Sequence, residues 1–170
     1  MIMRRLLLLV AFIISHPVYS ADNVDIKVTG RIVASPCVFN GGSSNLNVDL
    51  GNIQATNMAI PGSLSESVLF NLRFTQCPTG TRSVTAIFTG TPDPVAGADY
   101  YMNSGTATNI AIAMTEAGSG MLKGTGSSLT QTIAADRTAT LLMRAAVKSV
   151  AGGATPGTLS AVVVLTLEYN

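Results

Sequence analysis

The chain has no tryptophan, 5% aromatic residues, two cysteines and a single histidine, His16. Each shortage excludes something. With no Trp, four tyrosines and five phenylalanines, platforms on which bases or sugars could stack are scarce. Charged residues make up 11%, ten Lys+Arg against nine Asp+Glu, and they are scattered. That balance offers no electrostatic footprint for nucleic acid or an anionic lipid surface. The one long apolar run, Leu6 to Ile14, is about half of the roughly 20 residues that span a bilayer, so it predicts no stable membrane anchor.

The same run has a second reading. Arg4 and Arg5 precede it, and Pro17, Val18-Tyr19-Ser20 and then Ala21 follow. Charge, apolar stretch and small-residue cleavage site in that order predict a secretory signal over residues 1–20. Its removal takes away His16, Arg4 and Arg5, leaving eight basic against nine acidic residues in one domain of ordinary size. Without histidine, a His-based catalytic triad is excluded. Asp93, Asp99 and Glu116 fit no motif and read as turn and surface residues. The stretch Gly118 to Gly124 has the wrong spacing for a phosphate loop and reads as a flexible hairpin loop. The expectation is a protein that is not an enzyme and needs no cofactor.

Both cysteines, Cys37 and Cys77, lie in the exported part. An even pair in an oxidising compartment is most simply one disulfide, worth roughly 4 kcal/mol in the chain-entropy model for a loop of this size. Two distant thiols with no histidine would make a poor metal site.

Gly, Thr, Ser, Ala and Val dominate the remainder, a vocabulary of short strands and tight turns. Turn signals recur at Asn40 to Ser44, Pro61-Gly62, Pro78-Thr79-Gly80, Gly90 to Pro94, Asn103-Ser104-Gly105, Gly118 to Gly126 and Gly152 to Gly157. Between them, period-two alternation predicts strands at Leu46 to Leu50, Phe70 to Phe74, Val84 to Phe88 and Asn109 to Met114. Thr138 to Lys148 contains a helix-tolerant run. Ala139, Leu141, Met143, Ala145 and Val147 nevertheless alternate with polar residues, so it too is predicted as a strand. The class is all-β, an antiparallel sandwich.

The two ends of the exported chain differ from this pattern. Val24, Ile26, Val28, Gly30 and Ile32 form one row of an alternating segment, with Asp25, Lys27, Thr29 and Arg31 on the other. This is either an ordinary first strand, with Gly30 at a bulge, or a strand made to lie in another molecule's groove. Alternation alone leaves both open. At the other end, nearly every residue from Leu159 to Leu167 is apolar, which predicts a strand buried on both faces. Such a strand needs a neighbour on each edge, because an unpaired edge invites association.

With these segments the chain resembles the pilin subunits of chaperone–usher fimbriae, particularly the minor tip-adaptor subunits of type 1 fimbriae. Val24 to Pro36-Cys37 resembles their N-terminal extension, with a glycine before the Pro-Cys. Val48-Asp49-Leu50-Gly51 is similar to the family's V-D-L-G segment, and Phe70 to Cys77 to its approach to the second cysteine. Ala154-Thr155-Pro156-Gly157 and the closing Glu168-Tyr169-Asn170 resemble its final motif. Each motif is weak alone; four in order are strong.

The resemblance implies an incomplete immunoglobulin-like (pilin) sandwich lacking its last strand, completed by a donor strand from another subunit. It divides the chain into a signal (1–20), a donor-strand extension (21–35) and a pilin domain (36–170). It implies a structural subunit of a fimbria that serves cell adhesion, carried through the periplasm to the cell surface. The partners implied are a periplasmic pilus chaperone, which fills the groove first, an outer-membrane usher and neighbouring pilin subunits. The donor row would be Val24, Ile26, Val28, Gly30 and Ile32. The groove and chaperone-binding strand would present Gly157, Leu159, Ala161, Val163, Leu165, Leu167 and Tyr169. The alternative is a sugar-binding adhesive module on the same fold, using Tyr100-Tyr101 as a small aromatic platform, against which stands a reading of both as partly buried strand residues.

Overall fold

The computed structural model describes residues 27–31 and 36–170. The chain divides into two compact units, Met1–Arg31 and Ile32–Asn170. The signal, and Val24, Ile26 and Ile32 of the apolar row, lie outside the described residues.

The second unit is all-β. Its strands are β1 (Val38–Phe39), β2 (Val68–Thr75), β3 (Ser83–Gly90), β4 (Pro92–Asp93), β5 (Gly97–Met102), β6 (Ile110–Glu116), β7 (Ser128–Thr132), β8 (Ala139–Ser149) and β9 (Val163–Tyr169). One sheet runs in the order β1-β2-β8-β6-β5-β4 and the other β7-β3-β9, and every pairing is antiparallel. Helical structure among the described residues is limited to 3-10 turns at Asn40–Gly42 and Ala55–Met58. None of it is long and apolar enough to cross a membrane.

Alternation sets which side chains meet between the sheets. Leu72 and Phe74 of β2, Ala139, Leu141 and Met143 of β8 and Ile112 and Met114 of β6 face Val84, Ala86 and Phe88 of β3 in one buried cluster. The helix-tolerant run of β8 is therefore a strand, with Leu142 and Arg144 outward and exposed. The Cys37–Cys77 disulfide is formed and belongs to the same cluster. It ties β1 to the end of β2 next to the Phe39–Phe74 ring pair, whose centroids lie 5.3 Å apart.

Gly90 ends β3, and the chain crosses to the other sheet, where Pro92–Asp93 open β4. The crossing needs glycine because a β-carbon at 90 would stand 2.7 Å from the Tyr101 ring. Asp93 is buried in the turn that follows and accepts hydrogen bonds from the Val95 and Ala96 amides, at 3.0 and 2.7 Å. The glycine-rich stretch after β6 is bonded along its length rather than projecting as a free hairpin. The Lys123 amide donates to Met114 O, the Thr125 amide to Ala98 O and the Gly126 amide to Phe88 O.

Two sequence expectations are corrected. Leu46 to Leu50 pairs with no strand, and the hydrogen bonds around it are local, such as Gly51 N to Asp49 Oδ1 at 2.9 Å. The C-terminal strand begins at Val163 and is not buried on both faces. Val163, Leu165, Leu167 and Tyr169 turn inward and are half-buried, whereas Val162 is 75% and Val164 58% exposed. The run is apolar on its outward row too, but a three-stranded sheet has no layer to cover that row.

Candidate functional site: an open groove beside the last strand

β9 pairs with β3 along one edge, and its other edge has no partner among the described strands. Facing that edge across a gap is the unladdered segment 44–53. The gap is a groove of about 1000 Å³. One wall carries Gly157, Leu159, Ala161, Val163 and Leu165, and the opposite wall Val48, Leu50 and Ile53. Its floor is the inner face of the larger sheet: Phe70 and Leu72 of β2, Ile110, Ile112 and Met114 of β6, and Ala145 and Val147 of β8.

Both walls present backbone without a strand partner, and apolar side chains from all three surfaces line the groove, with polar groups such as Asn45, Asn47 and Asn52 among them. Unpaired backbone next to an apolar trough is costly in water and suits one more β-strand. In a sandwich of this kind that is the position of a missing strand.

Of the seven groove residues expected from sequence, Gly157, Leu159, Ala161, Val163 and Leu165 line the groove. Leu167 and Tyr169 instead pack against the main core beyond its end. Burial raises the Tyr169 pKa, and a hydrogen bond from the backbone of Cys37 partly opposes this. Asn170 O accepts from the Ser83 amide at 3.0 Å and from the Arg82 amide, so the strand's end is fixed to the start of β3. Of the donor row, Val28 and Gly30 are described, and both are exposed.

Sequence reasoning missed the floor and the wall at 44–53. The floor residues were legible as the inward rows of β2, β6 and β8. Nothing in the pattern distinguished those facing an open groove from those facing the closed core.

Gly157 marks a junction between two loop segments at the groove wall. Here segments 103–108 and 155–160 are joined mainly through side chains. Asn103 Nδ2 donates to Ala107 O at 2.8 Å, and Asn103 Oδ1 accepts from the Ser160 amide at 2.8 Å. The Thr106–Thr158 and Thr108–Thr155 hydroxyl pairs lie at 3.2 and 3.0 Å.

Tyr100 and Tyr101 form no aromatic platform, which corrects the basis of the sugar-binding alternative. Adjacent strand residues face opposite ways. Tyr101 points inward, is 1% exposed and donates to Lys123 O at 2.7 Å. Tyr100 lies on the outer face beneath Lys148, whose Nζ is 4.0 Å from the ring centroid.

A disulfide-tied, two-sheet domain with an open strand position defines an incomplete immunoglobulin-like sandwich, a subunit that leaves one strand to be supplied. Comparison with known proteins agrees. The family model for fimbrial proteins matches residues 26–170. Protein FimG of Escherichia coli strain K12 is 36% identical over 153 residues, covering 88% of this chain and 87% of that one. Fimbrial-like protein FimF of Salmonella typhimurium is 28% identical over the full length of both. Among solved structures, the P pilus rod subunit PapA superposes with a TM-score of 0.62 at 25% identity, covering 86% of this chain and all of that one. The chain belongs to the fimbrial protein family. It is a structural subunit of a bacterial pilus, a chaperone–usher pilin similar to tip and adaptor subunits, located outside the cell and in contact with other pilins. Its relatives are structural proteins rather than enzymes.

Proposed function

We propose that this subunit is assembled by donor-strand exchange, in a fibre that serves cell adhesion. The observation that carries the reading is the groove: a trough lined by apolar side chains, with backbone that has no strand partner along both walls. The groove row Gly157, Leu159, Ala161, Val163 and Leu165 counts five positions. The row Val24, Ile26, Val28, Gly30 and Ile32 also counts five, over about 30 Å of extended chain. A strand laid there gains ladder hydrogen bonds from the backbone and specificity from alternate side chains.

On this reading residues 1–20 are a signal that is removed, 21–35 are the extension given to a neighbour, and 36–170 are the receiving domain. A periplasmic chaperone occupies the groove first. At the outer-membrane usher the extension of the next subunit replaces it. The outward apolar row at Val162 and Val164 supports the need for a holder, since it adds exposed apolar surface beside an open edge. The test is copurification of the tagged subunit with a periplasmic chaperone, followed by release of the chaperone on adding a donor peptide. Recovery of the subunit alone as a stable monomer would contradict the proposal.

A further inference from the structure

We infer that Asn40 is a site of spontaneous modification: in the folded subunit its side-chain amide is lost as ammonia, leaving aspartate or isoaspartate at the rim of the groove. Asn40-Gly41 is the chain's single Asn-Gly pair. The fold itself calls for both residues. Asn40, Gly41 and Gly42 pass through the left-handed region in succession, at φ 42, 68 and 97°. Glycine enters that region freely, and asparagine is among the few other residues that tolerate it. The turn leads from Phe39 of β1 toward Ser44, and both of these line the groove.

The pair that suits the turn also suits an intramolecular substitution. The Gly41 amide nitrogen gives up its proton to solvent base and bonds to Asn40 Cγ, the bond from Cγ to Nδ2 breaks, and ammonia leaves. Water then opens the cyclic imide at either carbonyl, giving aspartate, or isoaspartate with the main chain rerouted through the side chain. A following glycine leaves the attack open, whereas a bulky or β-branched neighbour crowds it. Every other asparagine before the C-terminus precedes Val, Leu, Ile or Met, except Asn103, which precedes Ser104. At Asn103 both reacting groups are held. Its Nδ2 donates to Ala107 O at 2.8 Å, and its Oδ1 accepts from the Gly105 and Ser160 amides at 3.1 and 2.8 Å. The Ser104 amide donates to Ser160 O at 2.8 Å. Among the described residues no hydrogen bond holds the Asn40 side chain or the Gly41 amide, and Gly41 is exposed. Isoaspartate at 40 changes the main-chain path from β1 into the 44–53 wall. Resting on the reading of this groove as a strand site, an aged subunit then accepts a donor strand more weakly.

The test incubates the subunit, purified from the periplasm under native conditions, at mildly alkaline pH beside a sample unfolded in urea. Peptide mapping reads the conversion of amide to acid at each asparagine, and isoaspartyl methyltransferase labels the isoaspartate. In the native protein Asn40 should lose its amide several-fold faster than Asn103. Asn40→Gly, which keeps the left-handed turn, should remove the label. An Asn40 that stays intact in the native protein, whether or not it is modified in urea, would overturn the inference. Equal rates at Asn40 and Asn103 in the native protein would overturn it too. Anisotropy of a fluorescent peptide of residues 23–35 then compares aged with fresh subunit, and the aged form should bind more weakly. Equal binding would overturn the effect on the groove and leave the modification standing. Binding by neither form would overturn the groove reading itself.

Discussion

The α-carbon of Gly157 lies so close to the backbone nitrogen of Ala107 that a β-carbon at 157 would overlap it. Gly105 makes the reciprocal approach to the carbonyl of Thr158. These two contacts let the Asn103 and threonine bonds form, and so join the two segments at the groove wall. Neither glycine has a left-handed backbone; the requirement is space.

Gly157→Ala is therefore expected to destabilise the domain by about 1–3 kcal/mol, the usual cost of overpacking. Urea denaturation of a strand-complemented form measures this. An unchanged midpoint would show that the two segments separate without cost.

Intact-mass measurement of protein from the periplasm should give a chain beginning at Ala21 with no free thiols. Loss of the Cys37–Cys77 bond, which closes a separation of 40 residues, should lower stability by roughly 4 kcal/mol in the chain-entropy model. A reduced protein with the same denaturation midpoint would contradict this.

Tyr101 supplies a pH dependence. Burial raises its pKa from 10.0 to about 12. The unfolded chain thus loses this proton first, and the contribution is fully present below pH 10 and lost as pH rises toward about 12. Tyr101→Phe should flatten stability over that window. It should also cost about 1–3 kcal/mol at neutral pH, because it strips the buried Lys123 carbonyl of its partner. Equal slopes for both proteins would place the titration elsewhere.

Much of this architecture was legible in the sequence. Strict alternation in β2, β3 and β8 gave the strands and their inward faces, because a two-layer sandwich buries one row of each strand. The paired cysteines gave the disulfide. The misreadings came where tertiary context decides. Leu46 to Leu50 alternates like a strand but lines an open groove with no ladder partner. Leu159 to Leu167 is apolar on both rows, yet only one row has a layer to pack on. Tyr100 and Tyr101 are neighbours in sequence and lie on opposite faces.

Gly30 should matter to assembly and not to the subunit's own fold. It is the one position of the donor row without a side chain, and a larger residue there would need depth in the groove. A Gly30→Leu donor peptide should bind the groove more weakly by about 1–3 kcal/mol. Titration against the natural peptide measures the difference, and equal affinities would show that the glycine is no fitting device.

The central claim is that the sandwich lacks one strand and that its groove accepts one. The most direct measurement is the thermal stability and oligomeric state of the chain with residues 23–35 fused after Asn170 through a short turn. The fused strand can fold back antiparallel to β9. The account predicts a soluble monomer with a clearly raised Tm, against an aggregating or degraded parent. Equal Tm and equal solubility with and without the fused strand would show that the fold is already complete and would contradict it.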